Sequence, residues 1–184
     1  MNVLSATAAA EIAASLPPVV ASGTASAIVA AAQLLLPHLE RGQPINAAVL
    51  RGAMESAFGA SDTAGAWDWK TAYEACEVAT VLMLRKYGKP LFRKAGSPQA
   101  ILSQLSKIVG LVPTHTRRSD EAQSFQQFST PIPLGLIAAT AAAITPADRV
   151  LEPSAGTGLL AIYAGIALAS VAGRRSGRHV PSKP

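Results

Sequence analysis

The stretch best equipped for chemistry is Val150-Leu151-Glu152-Pro153-Ser154-Ala155-Gly156-Thr157-Gly158. A short apolar strand ends on an acid, and the chain then turns through small residues into another apolar run. Gly156 and Gly158 lack Cβ atoms, so the backbone there can approach a ligand closely and take unusual φ/ψ values. A helix beginning near Gly158 would add unpaired N–H donors and a partial positive charge. By itself such a loop suits a dinucleotide, a phosphate or nothing. Spacing argues against the phosphate readings. A Walker loop needs Gly-x-x-x-x-Gly-Lys-Ser/Thr, and Leu159 stands where the lysine belongs. A dinucleotide fingerprint needs a third glycine where Ala161 stands and an acid about 20 residues on. No Asp or Glu follows Glu152.

An acid at a strand end suits instead a ligand carrying an ammonium group, such as the methionine part of S-adenosylmethionine. Upstream lies a second motif, Gln127-Phe128-Ser129-Thr130-Pro131, joined to the loop by an apolar helix. Leu151–Gly158 resembles motif I of class I S-adenosylmethionine-dependent methyltransferases, in the form used by N6-adenine DNA methylases. The upstream motif is similar to the Phe-Tyr-Thr-Pro or Phe-Phe-Thr-Pro segment that precedes it in type I restriction–modification subunits. From about Thr71 to Ile162 the chain most resembles bacterial strawberry-notch-like proteins, large mobile-element-associated polypeptides joining a methylase-like domain to a helicase-like one.

The resemblance implies a cofactor site lined by Phe128, Ser129, Thr130 and Pro131. Glu152, Pro153, Ser154, Ala155, Gly156 and Gly158 would surround the methionine portion, with Glu152 near its amino group. Phe128–Pro131 also reads as an ordinary helix start, with Thr130 as N-cap and Pro131 at N1, and both readings can hold together. The departures are as specific. Adenine methylases hold the flipped base with an Asn/Asp-Pro-Pro-Tyr/Phe motif. Here the lone Pro-Pro pair, Pro17-Pro18, is followed by Val19. No catalytic residue is therefore assigned, and the chain is expected to be an N-terminal fragment, inactive alone. The missing downstream methylase or helicase portion would be a partner. The alternative is a basic helical module that binds nucleic acid or a partner subunit.

Charge carries that alternative. Residues 1–77 hold seven acids and three bases, whereas residues 78–119 hold eight bases and no acid. Arg85, Lys86, Lys89, Arg93, Lys94, Arg117 and Arg118 are the candidate DNA-contacting residues, as an electrostatic footprint or a solvated helical face. Cys76 is a single cysteine, which excludes internal disulfides and reads as a core residue. His38, His115 and His179 show no metal-ligand spacing, so no metal is expected. The N-terminus lacks a basic region ahead of its apolar stretch, and Glu11 interrupts it, against a signal peptide. Residues Pro153–Gly173 carry no charge, but their helical part is shorter than a bilayer span. A cytoplasmic protein without a membrane segment is expected.

The elements that must position these residues are mostly helices. Ala25–Leu39 reads as one, ended near Gly42 and Pro44. Asn46 caps a second that runs to Phe58. Asp68 caps a third, with Gly88 predicted as its C′ residue and one apolar stripe through Ala72, Ala75, Cys76, Ala79, Leu82 and Met83. Trp67 and Trp69 read as anchors at its start. Ser97-Pro98 opens a fourth, closed by Gly110. A polar connector covers 114–125, an apolar helix runs through about Ile144, and Thr145–Asp148 is a turn before the strand Arg149–Glu152. The fold class is mainly α: a helical N-terminal accessory domain (1–113), then the first strand–loop–helix unit of a Rossmann-like α/β methyltransferase domain (114–173, incomplete), then a basic tail (174–184).

Overall fold

The computed structural model describes residues 22–113, 130–145 and 147–172. Six helices are found among them: α1 (Ser22–Glu40), α2 (Ala47–Phe58), α3 (Trp69–Ala95), α4 (Pro98–Val109), α5 (Ile132–Ala141) and α6 (Ala161–Ala172). The starts of three follow from capping side chains. Asn46 accepts the Val49 N–H, Asp68 accepts the Thr71 N–H, and Ser97 accepts the Ala100 N–H. Each satisfies a donor that the first helical turn leaves unpaired. Gly59 ends α2 in the left-handed region at φ 75°, donating its N–H to the Glu55 carbonyl.

Two cores hold the helices together. The first gathers Ala31, Ala32, Leu35 and Leu39 of α1, Leu50, Ala53 and Met54 of α2, and Ala72, Ala75, Cys76 and Ala79 of α3. Its alanines leave little between helix backbones, so dispersion contacts replace bulk. Trp67 plugs one end, its indole N–H donating to the Ala60 carbonyl at 3.0 Å and its ring meeting Trp69 edge-on. Burial pushes the Cys76 thiol up to about 12, with the charge of Glu77 adding to the shift, so Cys76 is a neutral core residue. The second core joins Leu84, Leu105 and Ile108 to Ile132, Leu136, Leu159, Tyr163 and Ile166. It therefore draws on both sides of residue 113, with α3 running through both cores.

The third helix is longer than its sequence indicates. Gly88 is not its C′ residue; the helix continues through Pro90 to Ala95 and ends at Gly96, φ 71°. The reason is packing. A Cβ on Gly88 would lie 2.5 Å from the Ile166 side chain, so the glycine marks where α6 presses on α3. Arg85 and Lys86 are consequently mid-helix, and Arg93 and Lys94 occupy the last turn. The helix after Thr130 starts one residue later than expected. Pro131 is its N-cap, no side chain caps it, and it ends at Ala141.

The expected strand Arg149–Glu152 is not formed, and no strand occurs among the described residues. A strand exists through its ladder, and no other segment here pairs with this one. Val150 and Leu151 are left 46% and 86% exposed. The helix expected near Gly158 begins at Ala161, after two turns. The Rossmann-like unit is therefore absent as a strand–loop–helix, and what stands is an extended segment, a glycine loop and a helix. No described helix is long and apolar enough to cross a membrane.

Candidate functional site

The glycine loop is built by its own short-range bonds. The Glu152 carboxylate turns back to accept the Ser154 N–H at 3.0 Å, fixing the turn through Pro153. The Ala155 carbonyl then accepts the Gly158 N–H at 2.7 Å. Gly156 and Gly158 sit at φ 50° and 92°, where side chains are strained. The Gly158 carbonyl accepts the Ile162 N–H in the first turn of α6. Upstream, Thr145 and Asp148 close the predicted turn: the Asp148 N–H bonds the Thr145 carbonyl, and the Asp148 carboxylate accepts the Thr145 N–H.

One contact anchors this loop to the helical region, and nothing local in the sequence signals it. The Thr157 hydroxyl donates to Glu77 Oε2 of α3 at 2.8 Å, across 80 residues of chain. A second tie joins the two motifs. The buried Tyr163 hydroxyl, on α6, donates to the Ile132 carbonyl at 2.6 Å, in the first turn of α5. Tyr163 also stacks on Phe92 of α3, and its ring fills the space a Cβ on Gly135 would need. Burial pushes its phenol above the ordinary range, so it stays a neutral donor. The helix after Thr130-Pro131 is thereby held against the helix after the glycine loop.

The expected cofactor residues divide accordingly. Thr130 and Pro131 lie at the foot of α5, and Glu152, Pro153, Ser154, Ala155, Gly156 and Gly158 form the loop. Phe128 and Ser129 lie outside the described residues. Glu152 is half-buried with Oε1 engaged, and Oε2 has no bond among the described residues. A Cβ built on Gly156 would meet the Ser154 carbonyl oxygen at 3.9 Å, an ordinary contact, and one on Gly158 would meet nothing within 4 Å. No buried side-chain N or O atom in the described core is left unbonded.

The candidate nucleic-acid residues Arg85, Lys86, Lys89, Arg93 and Lys94 are all exposed on α3, while Arg117 and Arg118 lie outside the described residues. Lys86 is engaged: its ammonium meets Glu40 at 2.7 Å, and Tyr87 bonds the same carboxylate oxygen at 3.0 Å. Among the described residues, no group of three or more His, Cys, Asp or Glu side chains could hold a metal ion. An apolar groove of about 310 Å³ opens between α4 and α5, lined by Pro98, Leu102, Leu136 and Ile137 among others. No protein-family model, curated protein or solved structure matches the chain.

Proposed function

We propose that this chain supplies the cofactor-binding start of an S-adenosylmethionine-dependent methyltransferase of the N6-adenine DNA methylase kind. The observation that carries the reading is the pairing of the Phe-Ser-Thr-Pro and Glu-Pro-Ser-Ala-Gly-Thr-Gly motifs in order, on segments whose helices are bonded through Tyr163 and Ile132. In this reading Glu152 Oε2 holds the ammonium of the methionine moiety. Gly156 and Gly158 would let the backbone approach it, and Thr130 and Pro131 would contribute from the start of α5. The cofactor supplies an activated methyl group; these residues bind and orient it.

The exposure of Val150 and Leu151 supports the same reading. Parallel strands buried on both faces are apolar throughout, and such a strand without its neighbours exposes that apolar surface. These 184 residues contain no Asn/Asp-Pro-Pro-aromatic motif, the segment that holds the acceptor base in adenine methylases.

Calorimetric titration with S-adenosylmethionine tests the proposal, using wild type, Gly156→Asn and Glu152→Gln. Asparagine tolerates φ > 0, so it keeps the turn but places a side chain where the cofactor would lie. Binding should be lost in Gly156→Asn and weakened in Glu152→Gln by roughly ten- to a hundredfold, the effect of losing a charge-assisted hydrogen bond. No heat of binding by wild type, or equal binding by Gly156→Asn, would reduce the loop to a turn between extended segment and helix.

A further inference from the structure

The carboxyl-terminal half of α3 has two opposite faces. At 3.6 residues per turn, Leu84, Gly88 and Leu91 share one side, and Leu84 and Gly88 are buried against the second core. Arg85, Lys86, Lys89, Arg93 and Lys94 fall within about half of the circumference, centred opposite that buried side. Arg85, Lys89 and Arg93 form an i, i+4, i+8 row whose members rise about 6 Å apart. All five are exposed.

Surface cations on a helix ordinarily gain from acids one turn away, whereas like charges at i, i+4 destabilise the helix. This row repeats cation upon cation, and no Asp or Glu occurs between Glu77 and Asp120. Of these cations, Glu40 at the end of α1 reaches only Lys86. Arg85, Lys89, Arg93 and Lys94 have no ion pair with any described residue. Arg85, Lys89 and Arg93 thus repel one another along the row with no described acid to offset it, and an external polyanion would remove that repulsion.

We propose that this face of α3 is a contact surface for the phosphate backbone of duplex DNA, with Arg85, Lys89, Arg93 and Lys94 as the neutralising charges. It gives the methylase reading a DNA surface, but it rests on the charge geometry alone and needs no cofactor. The contacts are to phosphates and carry no sequence preference.

Fluorescence anisotropy of a labelled mixed-sequence duplex, without cofactor, decides it. Wild type should bind at 50 mM salt with a log–log salt slope of roughly −3 to −4, the value for about four phosphates neutralised. The affinity should then fall about a hundredfold by 200 mM salt. Replacing Arg85, Lys89, Arg93 and Lys94 together by Gln should flatten the slope by about that whole amount. Exchanging Arg85→Lys, Lys89→Arg, Arg93→Lys and Lys94→Arg should preserve it, and circular dichroism should show both variants equally helical. Lys70→Gln and Lys107→Gln, exposed cations elsewhere, should bind as wild type. Absence of binding at 50 mM salt would overturn the proposal. So would an unchanged slope in the quadruple Gln variant, which would assign binding to other cations such as Arg117, Arg118, Arg174 and Arg175.

Discussion

Glu77 and Thr157 are joined by a 2.8 Å hydrogen bond that fastens the glycine loop to α3, the longest of the described helices. Glu77 lies next to Cys76 in the first core, and Thr157 stands between the two glycines of left-handed backbone. Among the described residues, the loop's other hydrogen bonds are to its own neighbours. This contact fixes the loop on α3 together with the packing of Leu159 and Ile166 in the second core, while the bonds accepted by Glu152 and Ala155 shape it internally.

A double-mutant cycle of Glu77→Ala and Thr157→Val measures that coupling. A hydrogen bond to a charged group contributes about 1.5–3 kcal/mol, and part-exposure places this one toward the low end. The cycle should give a coupling of about 1–2 kcal/mol in chemical denaturation, since it cancels whatever else Glu77 touches. Amide exchange of residues 156–163 should quicken in Thr157→Val, with α1 and α2 unaffected. A coupling indistinguishable from zero would mean that this bond does not hold the loop to α3.

Two glycines give opposite expectations from one substitution. A Cβ on Gly135 would stand 2.6 Å from the Tyr163 ring. That ring cannot swing aside cheaply, because its hydroxyl bonds the Ile132 carbonyl and its face stacks on Phe92. Overpacking costs about 1–3 kcal/mol and the helix gains about 1 kcal/mol from Ala over Gly, so Gly135→Ala should destabilise by up to about 2 kcal/mol. Gly52, exposed in α2 with nothing within 4 Å of a built Cβ, should instead stabilise by about 0.5–1 kcal/mol as Ala. Urea midpoints of both variants check the pair; a stabilising Gly135→Ala would show that α5 and α6 have room to part.

Local chemistry made much of the helical region legible. Asn46, Asp68 and Ser97 cap the helices their sequence positions indicate, because a cap is a bond between near neighbours. Gly110 follows the helix that its position indicates it closes, and α2 ends at Phe58 as its sequence indicates, with Gly59 as its C-cap. Gly88 was misleading for the same reason: a glycine in a helical pattern reads as an end, and its actual role depends on Ile166, 78 positions away. The strand at Arg149–Glu152 failed because strand formation depends on partners that local pattern cannot supply. In the site, the loop's positive-φ glycines were legible from residue type, but the Glu77–Thr157 and Tyr163–Ile132 bonds were not, since neither partner marks the other in sequence. Asn46→Ala should test the legible part, lowering stability by about 1 kcal/mol through the lost Val49 N–H partner. Thermal denaturation should show a lower midpoint than wild type; equal midpoints would mean α2 starts without its cap.

Acid should release two of the contacts that shape the surface. The Lys86 ammonium and the Tyr87 hydroxyl, both bonded to Glu40, hold its carboxyl below the ordinary value, and the Thr145 N–H does the same for Asp148. A carboxyl depressed in the folded state stabilises the fold above its unfolded value, and that contribution fades as pH falls through the folded value. Lys86, raised to about 12 by its bond to Glu40, contributes fully below about 10.5 and loses the effect as pH climbs through about 12. The Glu40–Lys86 pair is therefore constant from about pH 5 to 10 and weakens on either side. Both groups are solvent-exposed, so the effect is small and screened by salt. Melting temperatures of wild type and Glu40→Gln, compared at low ionic strength, should differ slightly at pH 7 and converge by pH 3. Asp148→Asn should behave likewise, through the Thr145 turn. A difference that widens toward pH 3 would mean that these carboxylates are not held by the bonds that Lys86, Tyr87 and Thr145 make.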